Sequence, residues 1–520
     1  MNGRGETPMS VVSFFKNIMD NADKKEKIIF SLLITYLFIC FCVPVEEVDF
    51  FWHFSTGEWI LNNGKLPDVD PFSKLYSNAP DIRDTLILKG YWLSQIIYAL
   101  LWQWMGAFGI VFLRASLLCG IFYLIYKTAR KDGSFLMAII AFIPILVDMR
   151  MQIFLGERPQ QFTFLFFCLL YYLLNKNDDH FNHKKYLPII FLMTLWANVH
   201  PGVVVGILLL GLYAISLTFY WYKKKIDRDN YLKNIFCITL CIAASMINPN
   251  SWRIFHILFE PFFKMSSGMK YYLSFHLDGM SVYQLFVKQG VWQFYGFIFV
   301  FLFGLITLGF KAKKIQPFHL LLLLALFCLA INRGRYMVFL TMLGLPLVLP
   351  YWKSEWDRVE SVMTSKILVP LVLTSLLLVG GWVVILQGSA FVRGPLQEDK
   401  YPKAAVEFIK NSGLSGNIFN PYGWGGYLIA FLPGHEIFLD GRGLGANQGG
   451  HVIESAFVVQ AVSYGPGGKP MWKSILEQRD IKIFIAEISE NWSKINKEML
   501  NDPGWELVFQ DQISYVFLRR

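Results

Sequence analysis

Glu46, Glu47 and Asp49 lie in the run Val45-Glu46-Glu47-Val48-Asp49-Phe50-Phe51-Trp52-His53, directly after an apolar stretch at 28–45. Three carboxylates beside a hydrocarbon boundary are costly unless they face water, a metal or a cavity. The bland reading is a hydrated loop start that helps to set topology. The chemical reading is a general base or a metal-ligand cluster, with His53 close by. Asp49 is then the base. Glu47 supports it or shares a divalent cation with it, magnesium or manganese, and Glu46 completes the acidic set.

Cationic and polar residues recur at matching positions further along. Arg158 lies in GERPQQF where an apolar run begins, His200 in ANVHPG between two runs, and Asn248 in INPNSW where one ends. Arg333 and Arg335 occupy the turn NRGRY, and Arg114 sits about seven residues into the second apolar run. Boundary arginines commonly face a bundle interior or a polar ligand, and each alone is as readily a snorkelling charge. Together with His53 they form a candidate phosphate-binding set facing the carboxylates across one cavity.

The elements that would carry these residues are membrane helices. The 520-residue chain is 54% hydrophobic, 17% aromatic and only 17% charged, and its mean hydropathy is +0.41. A soluble domain carries about 25% charged residues. The net charge of +10 sits in short clusters between apolar runs, which is how topology signals are arranged, so nucleic acid is not an expected partner. The seven cysteines lie in or beside apolar runs without a CxxC pair, so neither disulfides nor structural zinc are expected.

Eleven runs are candidate spans: 28–45, 107–127, 134–149, 160–175, 187–199, 201–222, 232–248, 291–310, 317–332, 336–350 and 367–388. One set of connections is rich in Lys and Arg (DKKEK, KTARK, NKNDDHFNHKK, KKKIDRDNYLK, KAKK, KSEWDRVESVMTSK), and the alternating set is poor in them. The positive-inside rule puts the first set in the cytoplasm. Residues 1–27 are then a cytoplasmic N-terminus leading into an uncleaved first span, and everything after the last span lies outside. The 28–388 bundle would hold a long first outer loop at 46–106, whose Trp-rich stretches FFWHFSTGEWIL and YWLSQIIYALLWQW read as interfacial helices.

From about 389 the chain turns polar and glycine-rich. Helix signals at 401–411, 471–479 and 491–501 alternate with strand-like NIFN, EIFLD, IKIFIAE, WELVFQ and SYVFL, which predicts a small extracytoplasmic α/β domain over 389–520.

The acidic run, with Glu47-Val48-Asp49 as a Glu-x-Asp motif, resembles the first extracytoplasmic loop of GT-C glycosyltransferases. WHFSTGEWILNNGKLPDVDPFS, running into WLSQIIYALL, is similar to bacterial GT-C-like membrane proteins related to protein mannosyltransferases. The resemblance covers most of the chain. It implies a polytopic α-helical bundle in a bacterial inner or plasma membrane, a polyprenyl-phosphate-linked sugar as donor, and an extracytoplasmic acceptor. NPYGWGGYLIAFLPGHEIFLDGR is similar to the WWDYG region of oligosaccharyltransferase catalytic subunits, although Tyr422-Gly423-Trp424-Gly425-Gly426 lacks that order and its aspartate. Tyr422, Trp424, Asp440 and Arg442 become acceptor-side candidates. Against this, Trp424 could be domain core, and Asp440 and Arg442 could pair to fix their turn. The rival functions are a lipid or glycan transporter or flippase, and an assembly subunit with a degenerate site.

Overall fold

A computed structural model of the chain describes residues 22–73, 80–148, 156–175, 182–259, 280–362, 365–444, 450–462 and 469–520. Residues 260–279 of the expected outer segment 249–290, and part of the one at 148–160, lie outside these residues.

A helix lies under each of the eleven apolar runs, from Ala22–Phe41 to Ser365–Gln387. Five helical segments among the described residues are long and apolar enough to cross a membrane: Ala107–Lys131, Val203–Tyr222, Val291–Lys314, Gly334–Val359 and Pro370–Arg393. They make this an integral membrane protein. Phe135–Asp148, Gln160–Leu174 and Pro317–Asn332 are apolar but shorter. The run at 134–149 is split into Phe135–Ile140 and Ile143–Asp148, because Pro144 has no N–H to continue the ladder.

The first helix stops at Phe41, short of the expected Val45. The Ala390 N–H donates to the Cys42 carbonyl at 2.8 Å, the Val45 N–H to Pro395 at 2.8 Å, and the Gln397 N–H to Val45 at 3.0 Å. Val45 and Leu396 form a parallel bridge. The chain leaving the last long helix is thus zipped onto the segment that launches the acidic run.

Both Trp-rich stretches are helical, at Phe50–Asn63 and Trp92–Met105. Each has 14 residues, or about 21 Å of helix against a hydrocarbon core of about 30 Å. They pack closely because Gly57 sits against the Gln95 carbonyl, where a Cβ would collide.

Residues beyond Gly388 build a four-stranded sheet from β1 (Asn417–Phe419), β2 (Ile481–Glu487), β3 (Trp505–Gln510) and β4 (Ser514–Arg519), in the order β1-β2-β4-β3. β1 and β2 are parallel and the other two pairings are antiparallel. The strand-like EIFLD forms only an isolated bridge, Ile418 to Ile437. Beyond that bridge the buried Asn420 side chain replaces a strand partner: Oδ1 accepts from Phe438 N–H at 3.1 Å, and Nδ2 donates to the Leu439 carbonyl at 2.8 Å. The sheet domain docks on the bundle through aromatics, with the Phe51 ring 5.0 Å from Tyr401 and 5.1 Å from Tyr427.

Candidate active site

Asp49 occupies the N-cap position of the Phe50–Asn63 helix, yet its side chain makes no capping bond. An aspartate there ordinarily accepts from the first-turn N–H groups. Here Oδ1 accepts from the Trp52 indole N–H at 3.2 Å, and Oδ2 lies 3.1 Å from the Arg158 guanidinium. Arg158 also holds Glu47 Oε1 at 2.9 Å, and that oxygen accepts from the Asp49 N–H at 3.3 Å. Glu47 is buried, and burial pushes its carboxyl above the usual range while Arg158 pulls it back.

The run is held from behind by Glu157, the neighbour of Arg158. Glu157 Oε2 accepts from the Glu46 and Glu47 N–H groups at 3.4 and 3.1 Å. Its other oxygen pairs with Arg114, which also donates to the Phe41 and Val43 carbonyls. The Phe41 carbonyl is at the end of the first helix, where intrahelical partners run out, and the Val43 carbonyl lies just beyond it. Arg114 is 2% exposed, so it clamps this loop and presents nothing to a phosphate. Glu46 pairs with Lys400 of the C-terminal sheet domain.

A wall over Asp49 comes from the C-terminal sheet domain. A Cβ on Gly441 would collide with Asp49 Oδ1, and one on Gly426 would lie 2.6 Å from the Val48 carbonyl. The Gly441 turn is fixed by a buried triad. Arg442 donates to Asp440 Oδ1 at 2.8 Å and to Asp440 Oδ2 at 2.6 Å, and in bidentate fashion to Asp70 at 2.6 and 3.0 Å. Burial works against the Arg442 charge, but Asp440 and Asp70 outweigh it and hold the guanidinium protonated. Arg83 donates to the Gly443 and Arg442 carbonyls at 2.8 and 3.3 Å. Tyr422 donates its hydroxyl to the Gly441 carbonyl at 3.3 Å. Trp424 is buried, with its indole N–H on the Lys400 carbonyl at 3.1 Å. Asp440, Arg442 and Trp424 thus act within the protein's own architecture.

Trp52, His53, Tyr91 and His200 form a column of rings, with successive centroids 3.4, 5.0 and 5.3 Å apart. Burial, then His200, Arg158 and Arg442, hold the His53 proton affinity well below the usual value. Burial and the charge of Arg335 push His200 down to about 3. Both rings are therefore uncharged at neutral pH. Arg335 lies in the turn Gly334–Tyr336, and Arg333 caps the C-terminus of Pro317–Asn332.

Glu47, Asp49 and Arg158 are in direct contact, and His53, His200 and Arg335 are joined to them electrostatically. Sequence reasoning missed Glu157, Asp70 and Trp52. Glu157 was signalled only by its place beside Arg158, and Asp70 only by LPDVDPFS. Glu47 and Asp49 already share a counter-charge, the Arg158 guanidinium, so as placed they do not fit a divalent cation. Among the described residues, no group of three or more His, Cys, Asp or Glu could hold a metal ion.

No protein-family model and no curated protein sequence matches the chain. Solved structures do match. The Archaeoglobus fulgidus oligosaccharyltransferase, tethered to an acceptor peptide containing an NVT sequon, aligns with a TM-score of 0.58 at 10% identity. That alignment covers 98% of this chain and 75% of the archaeal one. The same enzyme, AglB, in complex with an inhibitory peptide and a dolichol-phosphate, gives a TM-score of 0.55 at 10% identity, over 97% and 75%. It has also been crystallised with zinc and sulfate. The mycobacterial arabinofuranosyltransferase AftD gives 0.53 at 12% identity, over 96% of this chain and 40% of AftD. Both neighbours are GT-C glycosyltransferases. The chain shares their fold. The expected resemblance to GT-C proteins thus recurs in three dimensions, across nearly the whole chain.

Proposed function

We propose that the chain is a membrane glycosyltransferase moving a sugar from a polyprenyl-phosphate-linked donor to an extracytoplasmic acceptor, with inversion at the anomeric carbon. The observation that carries this reading is the Asp49 carboxylate. It is turned away from capping its own helix and fixed between Trp52 and Arg158 beneath an outer-domain wall, within a GT-C-like fold. Asp49 takes the proton of the acceptor hydroxyl, or helps to activate an amide, as the bond from sugar carbon to phosphate oxygen breaks. Arg158 and buried Glu47 orient it. Arg333, Arg335 and His200 meet the donor phosphate and stabilise it as it leaves. The turn bearing Asp440, Gly441 and Arg442, with Tyr422 and Trp424 behind it, shapes the acceptor side.

In this reading residues 1–27 are cytoplasmic, 28–388 form the bundle, and 389–520 lie outside a bacterial inner or plasma membrane. The polar groups gather at one end of the bundle, whereas a transporter places its polar breaks near the midplane. The test is transfer from labelled polyprenyl-linked sugars by purified protein. Asp49→Asn, which keeps size and removes basicity, should reduce turnover on the order of 10²-fold or more. Turnover near the parent's would remove Asp49 from the role, and no transfer by the parent from any polyprenyl-linked sugar would remove the activity.

A further inference from the structure

His200 follows the Tyr186–Val199 helix and stands just ahead of the 20-residue Val203–Tyr222 helix. Its Nδ1 accepts from the Gly202 backbone N–H at 2.8 Å and lies 2.8 Å from the Thr163 hydroxyl oxygen. A third partner sets the direction of the second bond. The Trp196 indole, which can only donate, gives its N–H to Thr163 Oγ1 at 2.8 Å, and the hydroxyl proton is left to point at His200. A backbone N–H likewise only donates. Nδ1 therefore carries no proton, and in the uncharged ring the proton is on Nε2. A second proton on Nδ1 would face the Gly202 N–H donor directly.

Gly202 is part of the same device. Its φ of −60° suits any residue, but a Cβ there would run into both His200 Nδ1 and Thr163 Oγ1. Among the described residues Nε2–H has no protein acceptor, and the ring is only half-buried. The positive end of the Val203–Tyr222 helix and the charge of Arg335 both favour an anion at this place.

We propose that Thr163 and Gly202 are positioning residues that fix His200 as an Nε2–H donor, and that this donor binds a phosphate oxygen of the lipid-linked substrate beside Arg335. The inference rests on the glycosyltransferase reading above and assigns one contact within it. An uncharged donor orients the phosphate directionally without adding a full positive charge that would retain the polyprenyl phosphate after transfer.

The test is nitrogen NMR of the full chain labelled with ¹⁵N-histidine, with the His200 signals identified by their loss in His200→Gln. At neutral pH, Nδ1 should be unprotonated and Nε2 protonated. Farnesyl phosphate should move the Nε2 signal and leave Nδ1 in place, and inorganic phosphate at the same concentration should move neither. Thr163→Val should weaken the tautomer preference, which the Gly202 N–H alone then maintains, and weaken farnesyl phosphate binding about tenfold, with Thr163→Ser restoring both. If Thr163→Val does not fold, the titration of the parent decides alone. Farnesyl phosphate that binds without moving His200 would overturn the contact and leave the glycosyltransferase reading standing. An equal shift with inorganic phosphate would overturn the lipid assignment. Failure of farnesyl phosphate to bind at all would overturn both.

Discussion

Gly441, on a turn of the C-terminal sheet domain, lies so close to the Asp49 carboxylate that a Cβ on it would collide with Oδ1. The turn cannot easily retreat, because Arg442 ties it to Asp440 and Asp70 from the buried side. Gly441→Ala must therefore displace Asp49 or loosen the triad. Overpacking of this kind costs about 1–3 kcal/mol of stability. A shift of about 1 Å in a reacting group costs on the order of 10²-fold in rate. The expected outcome is a folded protein with a modestly lower melting temperature and a large loss of turnover. Turnover within twofold of the parent would mean that Asp49 tolerates displacement, which a general base would not.

Arg158 supplies the positive charge that both Glu47 and Asp49 approach. Removing it leaves Glu47, which is 5% exposed, as an uncompensated buried acid. Breaking a buried pair in this way costs about 3–5 kcal/mol, to be discounted here because Arg158 is 29% exposed. Arg158→Ala should be destabilised and inactive, and Arg158→Lys should recover stability better than rate, because an ammonium cannot reproduce the planar fork. With the guanidinium in place, a chelator should leave transfer by the parent largely unchanged. Loss of transfer on chelation, restored by manganese or magnesium, would show a cation at this pair after all.

What the sequence made legible was local. The acidic run, the Trp-rich stretches and the apolar runs are contiguous patterns; a helix lies under each apolar and Trp-rich run, and the acidic residues lead into one of them. What stayed hidden depends on partners distant in the chain. Arg114 invites a reading as a phosphate ligand because it stands in an apolar run, and only the fold brings Glu157 and the Phe41 and Val43 carbonyls to it. Asp440 and Arg442 are two residues apart and could be read as a pair, whereas Asp70 could not be joined to them. The end of the first helix was overshot for a similar reason. Residues 42–45 stay apolar in composition while their backbone bonds to 390–397. The EIFLD run has the residue types of a strand, but a buried asparagine side chain takes the place of its next partner.

Orientation can be tested directly. Ser412 is exposed in the C-terminal sheet domain, and Lys224 lies in the KKKIDRDN connection. In a background lacking the exposed Cys328, a cysteine at position 412 should react with a membrane-impermeant thiol reagent in intact cells. One at position 224 should react only after permeabilisation. The reverse pattern would place Asp49 on the cytoplasmic side and end the proposed reaction as written.

His200 gives a pH dependence whose sign is fixed by its environment. Thr163 and Gly202 donate to or face its Nδ1, Tyr91 packs on the ring, and Arg335 adds positive charge. An unfolded chain takes up this proton near 6.5, whereas the folded protein resists it down to about 3. Between those values the unfolded state binds more protons, so stability is full above 6.5 and falls as the pH drops through that window. His53 acts in the same direction. Glu47 opposes them above its ordinary 4.5, because its carboxyl is raised in the fold and its protonation favours the folded state. The ceiling is about 1.4 kcal/mol per pH unit for each histidine. Melting temperatures measured from neutral pH down to about 5 should therefore decline in the parent and decline less steeply in His200→Gln, which cannot take up a proton. A His200→Gln profile as steep as the parent's would show that His200 titrates alike in both states, and would remove the uncharged ring from the account of this site.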